Sequence, residues 1–261
     1  MHDTSNQHYW DDRGGVSYCY KGETFYTVTP IPYYYRRRAV LLALMRPLIE
    51  KSEVNQICDF GCGDGFYLKY FGSLSPKKNY FGIDISHSMI ERAKQNAPFA
   101  KLKVSQKGID FQNDFDLIYA IAVFAHIKDD IIPGILENIY QKLKPGGRFV
   151  MFEQTGYTRR EGETWCRRQT KEYIGFASTA GFEIDTRHLI SFPAHRFFEN
   201  RIAPYYIRIC MEGSNHHERC INANKSMLFK MISNVMVALT KKPISADSGS
   251  FDGNSFYVFK K

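Results

Sequence analysis

Apolar residues along the chain gather into short runs separated by segments of helical period. "NQICDF" (55–60), "NYFGID" (79–84), "FDLIYAIAVF" (115–124) and "GRFVMFE" (147–153) are rich in β-branched or aromatic residues and read as buried strands. Between them the period changes. Ser88-Met-Ile-Glu91 has the spacing of a capping box and opens a helix over "MIERAKQN". Asp129 and Asp130 lead into "IIPGILENIYQKL", where Ile132, Leu136, Ile139 and Leu143 share one helical face, and "LKPGG" (143–147) stops that helix. "EYIGFASTAGFEIDTRHLISF" (172–192) reads as a further helix–strand unit, and "SFYVFKK" (255–261) as a closing strand. This alternation predicts an α/β fold: a parallel sheet with right-handed crossovers and helices on both faces.

Two regions break the alternation. Residues 1–52 begin with an aromatic, glycine-containing stretch and end in the apolar run "AVLLALMRPLIE"; residues 195–245 are helical in pattern and Met-rich, as in "SMLFKMISNVMVALTKK". The chain therefore divides into an N-terminal segment 1–52, a core 53–194, a helical segment 195–245 and a final strand within 246–261. There is no internal repeat and no low-complexity tract.

A length of 261 residues with 44% hydrophobic content supports one sizeable core rather than two independent domains. The formal net charge of +8 fits an anionic partner, either nucleic acid or a small phosphorylated or carboxylated substrate, and fits equally a solvated basic surface. Six cysteines occur without a CxxC pair, and Cys58 and Cys62 have no His/Cys partners at zinc-finger spacing, so no metal site is expected. The N-terminus lacks an apolar signal core and no run of 18 apolar residues occurs, which points to a reduced cytoplasmic protein without a membrane partner.

The densest chemistry lies at the end of the first strand, where residues 59–66 read D-F-G-C-G-D-G-F. The glycines at 61, 63 and 65 give G-x-G-x-G, whereas a dinucleotide fingerprint requires glycine at 66, where Phe66 stands. No Gly-Lys-Ser/Thr follows, which removes a phosphate-binding P-loop. The strand–Gly turn–helix form still brings a ligand against the backbone, and Asp84, closing the next strand, stands where an acid accepts hydrogen bonds from ribose hydroxyls. Asp59 would repel a pyrophosphate and suits an ammonium. A ribose, an ammonium and no phosphate together describe S-adenosylmethionine (SAM).

From about Val54 to Glu153 the sequence resembles the class I SAM-dependent methyltransferases, particularly their small-molecule branch, in four ordered segments: "ICDFGCGDG", "FGIDIS", "FDLIYAIAVFAHI" and "LKPGGRFVMFE". The resemblance implies a Rossmann-like, doubly wound, seven-stranded and mostly parallel sheet whose last strand is antiparallel, with an N-terminal lid and a helical insertion. It implies SAM as cofactor and S-adenosylhomocysteine as product. Asp59 and Gly61 would meet the methionine moiety, with Cys62, Gly63 and Gly65 in the turn; Cys62 reads equally as a small packing residue. Asp84 would bind the ribose, and Ile85 or Met89 would pack on the adenine. Gln106-Lys107-Gly108-Ile109 departs from the family pattern, which leaves backbone groups of Gly108 or Ile109 for the adenine. Ala120, Ile121 and Val123 would reach the methionine end.

Methyl transfer to an alcohol needs a base, because a proton must leave. His126, just beyond the fourth strand, suits that role by its titration range, and reads equally as a structural histidine at the start of the following helix. Glu153 could orient His126, bind a substrate hydroxyl, or be a surface acid. Tyr33, Tyr34 and Tyr35 followed by Arg36 and Arg37, together with His195, Arg196 and Arg201, offer aromatic faces and guanidinium groups to an anionic sugar or ring. These residues are expected to bind the acceptor. The resulting expectation is a small-molecule O-methyltransferase; the alternatives are an N-methyltransferase, an RNA-directed methyltransferase, or a non-catalytic nucleic-acid-binding protein. The (N/D)-P-P-(Y/F) motif of nucleic-acid amino methylation is missing from "YAIAVFAHI".

Overall fold

The computed structural model describes residue 11 and residues 18–20, 23–25, 31–162, 164–213, 219, 222–223, 225–240, 244–246 and 253–261. The chain separates into two compact units, one of residues 1–15, 44–189 and 246–261, the other of residues 16–43 and 190–245.

Two three-residue strands, β1 (Tyr18–Tyr20) and β2 (Glu23–Phe25), pair antiparallel ahead of a helix over Ile31–Ile49. The sheet of the larger unit uses β3 (Gln56–Phe60), β4 (Asn79–Asp84), β5 (Lys101–Val104), β6 (Phe115–Ile121) and β7 (Leu143–Thr155). A small hairpin follows, β8 (Arg160–Glu161) with β9 (Cys166–Arg167); then come β10 (Glu183–Ile190), the short β11 (Ile244–Ala246) and β12 (Gly253–Lys260). The order across the sheet is β11-β10-β12-β7-β6-β3-β4-β5. The pairs β3–β4, β3–β6, β4–β5 and β6–β7 are parallel, and β12 runs antiparallel to β7 from Gly253 opposite Thr155 to Lys260 opposite Arg148. The seven-stranded, mostly parallel sheet with an antiparallel last strand is therefore present, extended at one edge by β11.

β3, β6 and β12 are almost wholly buried, which explains why their sequences read as continuous apolar runs rather than alternating ones. Ile118, Phe149, Met151, Tyr257 and Phe259 join Phe124, Ile132, Leu136 and Ile139 in one core cluster. The helix carrying the last three of these spans Ile132–Lys142, with Pro133 in its first turn, and it stops where "LKPGG" begins. Leu143 is buried as expected, but it is the first residue of β7, because "LKPGG" continues into that strand through a register shift opposite Phe115–Leu117.

The helix expected from the Ser88–Glu91 box starts two residues earlier than that box predicts. Ser86 is the cap: its backbone is extended and its Oγ accepts from the Met89 N–H at 3.2 Å, so the helix spans His87–Asn96 and Ser88 falls inside its first turn. The complete capping box occurs instead at Gln169 and Glu172, at the start of the helix Thr170–Thr179.

In the smaller unit, helices Pro193–Phe197, Ala203–Cys210 and Met227–Ala238, with a π-helical turn at Phe198–Ile202, gather around Phe198, Ala203, Ile207, Ala223 and Phe229. No helix among the described residues is long and apolar enough to cross a membrane.

Candidate active site

The turn after β3 is shaped by glycine. Gly61, Gly63 and Gly65 all have positive φ (75°, 53° and 79°), a region that side-chain-bearing residues rarely adopt. Space adds a second constraint at Gly61, where a Cβ would lie 2.5 Å from Val123 Cγ2. At Gly65 a Cβ would sit 3.1 Å from Ala93, so this glycine lets the helices Phe66–Leu74 and His87–Asn96 approach. Gly63 differs, since a Cβ there would meet nothing within 4 Å and the turn faces open space. The Gly61 and Cys62 amides both donate to the Ile83 carbonyl at 2.8 Å, tying the turn to β4. Cys62 is buried with its sulfur toward Gly82, and burial first, then the charges of Asp59 and Asp84, push its thiol well above the usual range. Cys62 is thus a protonated packing residue.

Asp59 is 1% exposed, and its Oδ2 makes no hydrogen bond of normal geometry; the buried Tyr119 hydroxyl lies near the carboxyl without closing such a bond either. Burial pushes the Asp59 carboxyl well above the ordinary range; the Tyr119 hydroxyl opposes this, and the charges of Asp84 and Asp64 reinforce it. An unpaired buried carboxylate among other carboxylates is costly unless a cationic donor completes it. Asp84 serves both the turn and the pocket: Oδ2 accepts from the Gly63 amide at 2.8 Å and Oδ1 from the Ser86 amide at 2.9 Å. Burial raises its pKa against the pull of those amides. Ile85 is half-buried and Met89 buried on the same edge of the sheet. Asp11 reaches this edge as well, its Oδ1 accepting from Ser86 Oγ at 2.6 Å.

Gly108 and Ile109 occupy a turn held by Asn138. The Ile109 amide donates to Asn138 Oδ1 at 2.7 Å, its carbonyl accepts from Asn138 Nδ2 at 3.4 Å, and the Gly108 carbonyl accepts from Ser105 Oγ at 2.7 Å. The backbone groups of Ile109 expected to meet an adenine are therefore already paired within the protein.

The end of β6 forms the second wall. Ala120 is fully buried, Ile121 half-buried, and Ala122 has φ 58°, the one non-glycine among the described residues with positive φ. Val123 packs on Gly61, and Phe124–His126 form a 3₁₀ turn. Glu153 is fully buried and accepts from the amides of Val123 (2.8 Å), Phe124 (2.7 Å) and Ala125 (3.3 Å). Burial pushes its pKa up to about 7, against the pull of those amides and of Arg168. This corrects the reading of Glu153 as a surface acid: its oxygens face inward and accept from the turn that carries His126. The His126 Nδ1 lies 2.7 Å from the Thr164 carbonyl.

The expected acceptor-binding residues divide. Tyr33 and His195 are buried, stacked on each other with centroids 4.4 Å apart; His195 Nε2 lies 2.9 Å from Ser233 Oγ, and burial lowers its pKa to about 4. They are interior residues of the smaller unit. Tyr34 and Tyr35 are half-buried beneath guanidinium groups, with Arg37 5.5 Å from the Tyr34 ring centroid and Arg38 5.0 Å from that of Tyr35. Arg36 and Arg201 are exposed, and the side chain of Arg196 lies outside the described residues. Among the described residues there is no cluster of metal-ligating side chains.

Residues 58–149 match the family described as a methyltransferase domain. Across 123 residues the chain is 31% identical to an uncharacterized protein of Rickettsia prowazekii, a stretch covering 44% of this chain and 48% of that one. It is 28% identical to malonyl-[acyl-carrier protein] O-methyltransferase 2 of Ilyobacter polytropus over 41% of this chain and 42% of the relative. The chain thus spans about half the length of the curated relatives it matches. Among solved structures, the O-methyltransferase of a trans-AT PKS multienzyme of Brevibacillus brevis, in complex with S-adenosylhomocysteine, shares the fold. Its TM-score is 0.60 at 19% identity, covering 90% of this chain and 77% of that one.

Proposed function

We propose that this chain, whose core belongs to the class I SAM-dependent methyltransferases, carries a methyl group from SAM to a hydroxyl of a small polar acceptor such as a sugar, a phosphorylated compound or a natural-product-like molecule. The observation that supports this reading most is Asp59, a buried carboxylate whose Oδ2 makes no hydrogen bond of normal geometry, beside a glycine turn with open space at Gly63.

When bound, SAM supplies a methyl group on a positively charged sulfur, and a surround that excludes water favours a transfer in which that charge disappears. In this reading Asp59 pairs with the ammonium group, Asp84 accepts from the ribose hydroxyls, and Ile85 and Met89 offer apolar surface to the adenine. The base is His126. In this reading the Thr164 carbonyl, which can only accept, takes the Nδ1 proton, and Nε2 is the nitrogen that takes the proton from the alcohol. Acceptor recognition is assigned, on their chemistry, to Tyr34, Tyr35, Arg36, Arg37 and Arg201.

The test is incubation with methyl-labelled SAM and fractionated cell extract, followed by identification of the labelled product. A methyl ether or ester formed by the wild type and reduced about 10²–10⁴-fold by His126→Ala supports the reading. A methylated amine, formed equally well by His126→Ala, overturns the hydroxyl assignment.

A further inference from the structure

The turn that carries His126 is gripped from two sides by buried, oppositely charged side chains that lie far from it in sequence. Glu153 takes three of its amides. Arg168, also fully buried, takes its carbonyls: Nη1 donates to the Phe124 carbonyl at 2.7 Å and Nη2 to that of Ile127 at 2.6 Å. Arg168 is itself anchored, with Nε and Nη2 donating to Asp129 Oδ1 at 2.9 and 2.5 Å and its guanidinium 5.7 Å from the Tyr173 ring centroid. Its own backbone bridges Thr155 in β7, the strand that carries Glu153.

We propose that Arg168, working against Glu153, is a positioning residue that sets the place and tautomer of the His126 ring. This rests on the reading of His126 as the base. Three features favour positioning over stability alone. Burying a guanidinium and a carboxyl group carries a desolvation cost that apolar residues of similar volume would avoid, so the two are a poor device for stability by themselves. Every hydrogen bond that the Glu153 side chain accepts, and both that Nη1 and Nη2 of Arg168 donate to carbonyls, falls on residues 123–127, the stretch containing His126. The segment that supplies Arg168 also supplies the Thr164 carbonyl facing His126 Nδ1. Moving residues 164–168 would therefore move the ring's partner and the ring's backbone together. A fixed planar fork is needed to span two carbonyls and a carboxylate at once, and lysine lacks it.

The experiment follows the imidazole by ¹⁵N–¹H correlation in ¹⁵N-labelled protein, which separates Nδ1–H from Nε2–H tautomers, with His126→Ala identifying the signal among the eight histidines. Wild type is expected to show His126 as Nδ1–H. Arg168→Lys is expected to bind S-adenosylhomocysteine within about twofold of wild type, because the β3 turn is untouched, while His126 becomes a mixture of tautomers with a shifted titration midpoint. A folded Arg168→Lys with the wild-type tautomer and midpoint overturns the proposal. Should that variant fail to fold, Glu153→Gln and Asp129→Asn are read in the same way, and an unchanged His126 in both overturns it. Loss of S-adenosylhomocysteine binding by wild type would instead defeat the methyltransferase reading and leave the ring measurement standing on its own.

Discussion

The two turns that wall the candidate site meet the same demand by opposite means. The turn after β3 reverses direction on three glycines with positive φ and is held by its immediate neighbours, through the Ile83 carbonyl and Asp84. The turn after β6 makes its reversal on an alanine, Ala122, and is held by side chains imported from positions 153 and 168. The first turn leaves one carboxylate oxygen of Asp59 without a hydrogen bond of normal geometry, and the second pairs every oxygen of Glu153. On the proposed reading a ligand completes the first turn, and the second holds the His126 side chain in place.

The largest effect that would sharpen this contrast is chemical. His126→Ala should abolish transfer by about 10²–10⁴-fold while S-adenosylhomocysteine affinity, measured calorimetrically, stays unchanged. A parallel loss of affinity would mean that the two turns are not separate devices. Next come the backbones. Gly61→Ala meets both a positive φ and Val123 Cγ2 at 2.5 Å, and should cost about 2–4 kcal/mol in denaturant unfolding. Ala122→Gly relieves a left-handed φ but adds chain entropy, and should fall within about 1 kcal/mol of wild type. Equal costs at the two positions would break the comparison.

The smallest effect is on pH dependence. Glu153 is raised from its ordinary value of 4.5 to about 7 in the folded protein, so the folded state holds the proton more tightly than the unfolded chain. Its contribution to stability is fully present below about pH 4.5 and is lost as pH rises through about 7. Glu153→Gln should flatten that fall in the denaturant midpoint between those limits, and an unchanged slope would remove Glu153 as its source.

The same contrast explains what was legible in the sequence. The β3 turn could be read because each requirement is local: glycines where φ is positive, an acid before them, and an acid at the end of the next strand. The parallel order could be read because β3 and β6 are covered on both faces and appear as unbroken apolar runs. Arg168 could not be found this way, since it meets residues 124 and 127 only after β7 and a hairpin have folded back beside β6. Glu153 was visible as a strand-end acid but not as a partner of amides, which no side-chain pattern announces. The burial of Tyr33 and His195 was not legible in the composition, because aromatic and basic composition looks alike on a surface and in an interior. The helical spacing of Tyr33 with Leu41, Met45 and Ile49, all buried, was the signal that pointed inward. The capping residue was missed by two positions because Ser86 and Ser88 differ in backbone conformation, not in chemistry.

The central claim is that the carboxyl edge of β3 completes itself with a cationic nucleoside through Asp59. Titration calorimetry with S-adenosylhomocysteine tests it directly. Wild type should bind one equivalent. Asp59→Asn, which cannot pair as an anion with the ammonium group, should lose about 100-fold in affinity without loss of thermal stability. No binding by well-folded wild type, or equal binding by Asp59→Asn, would contradict the account.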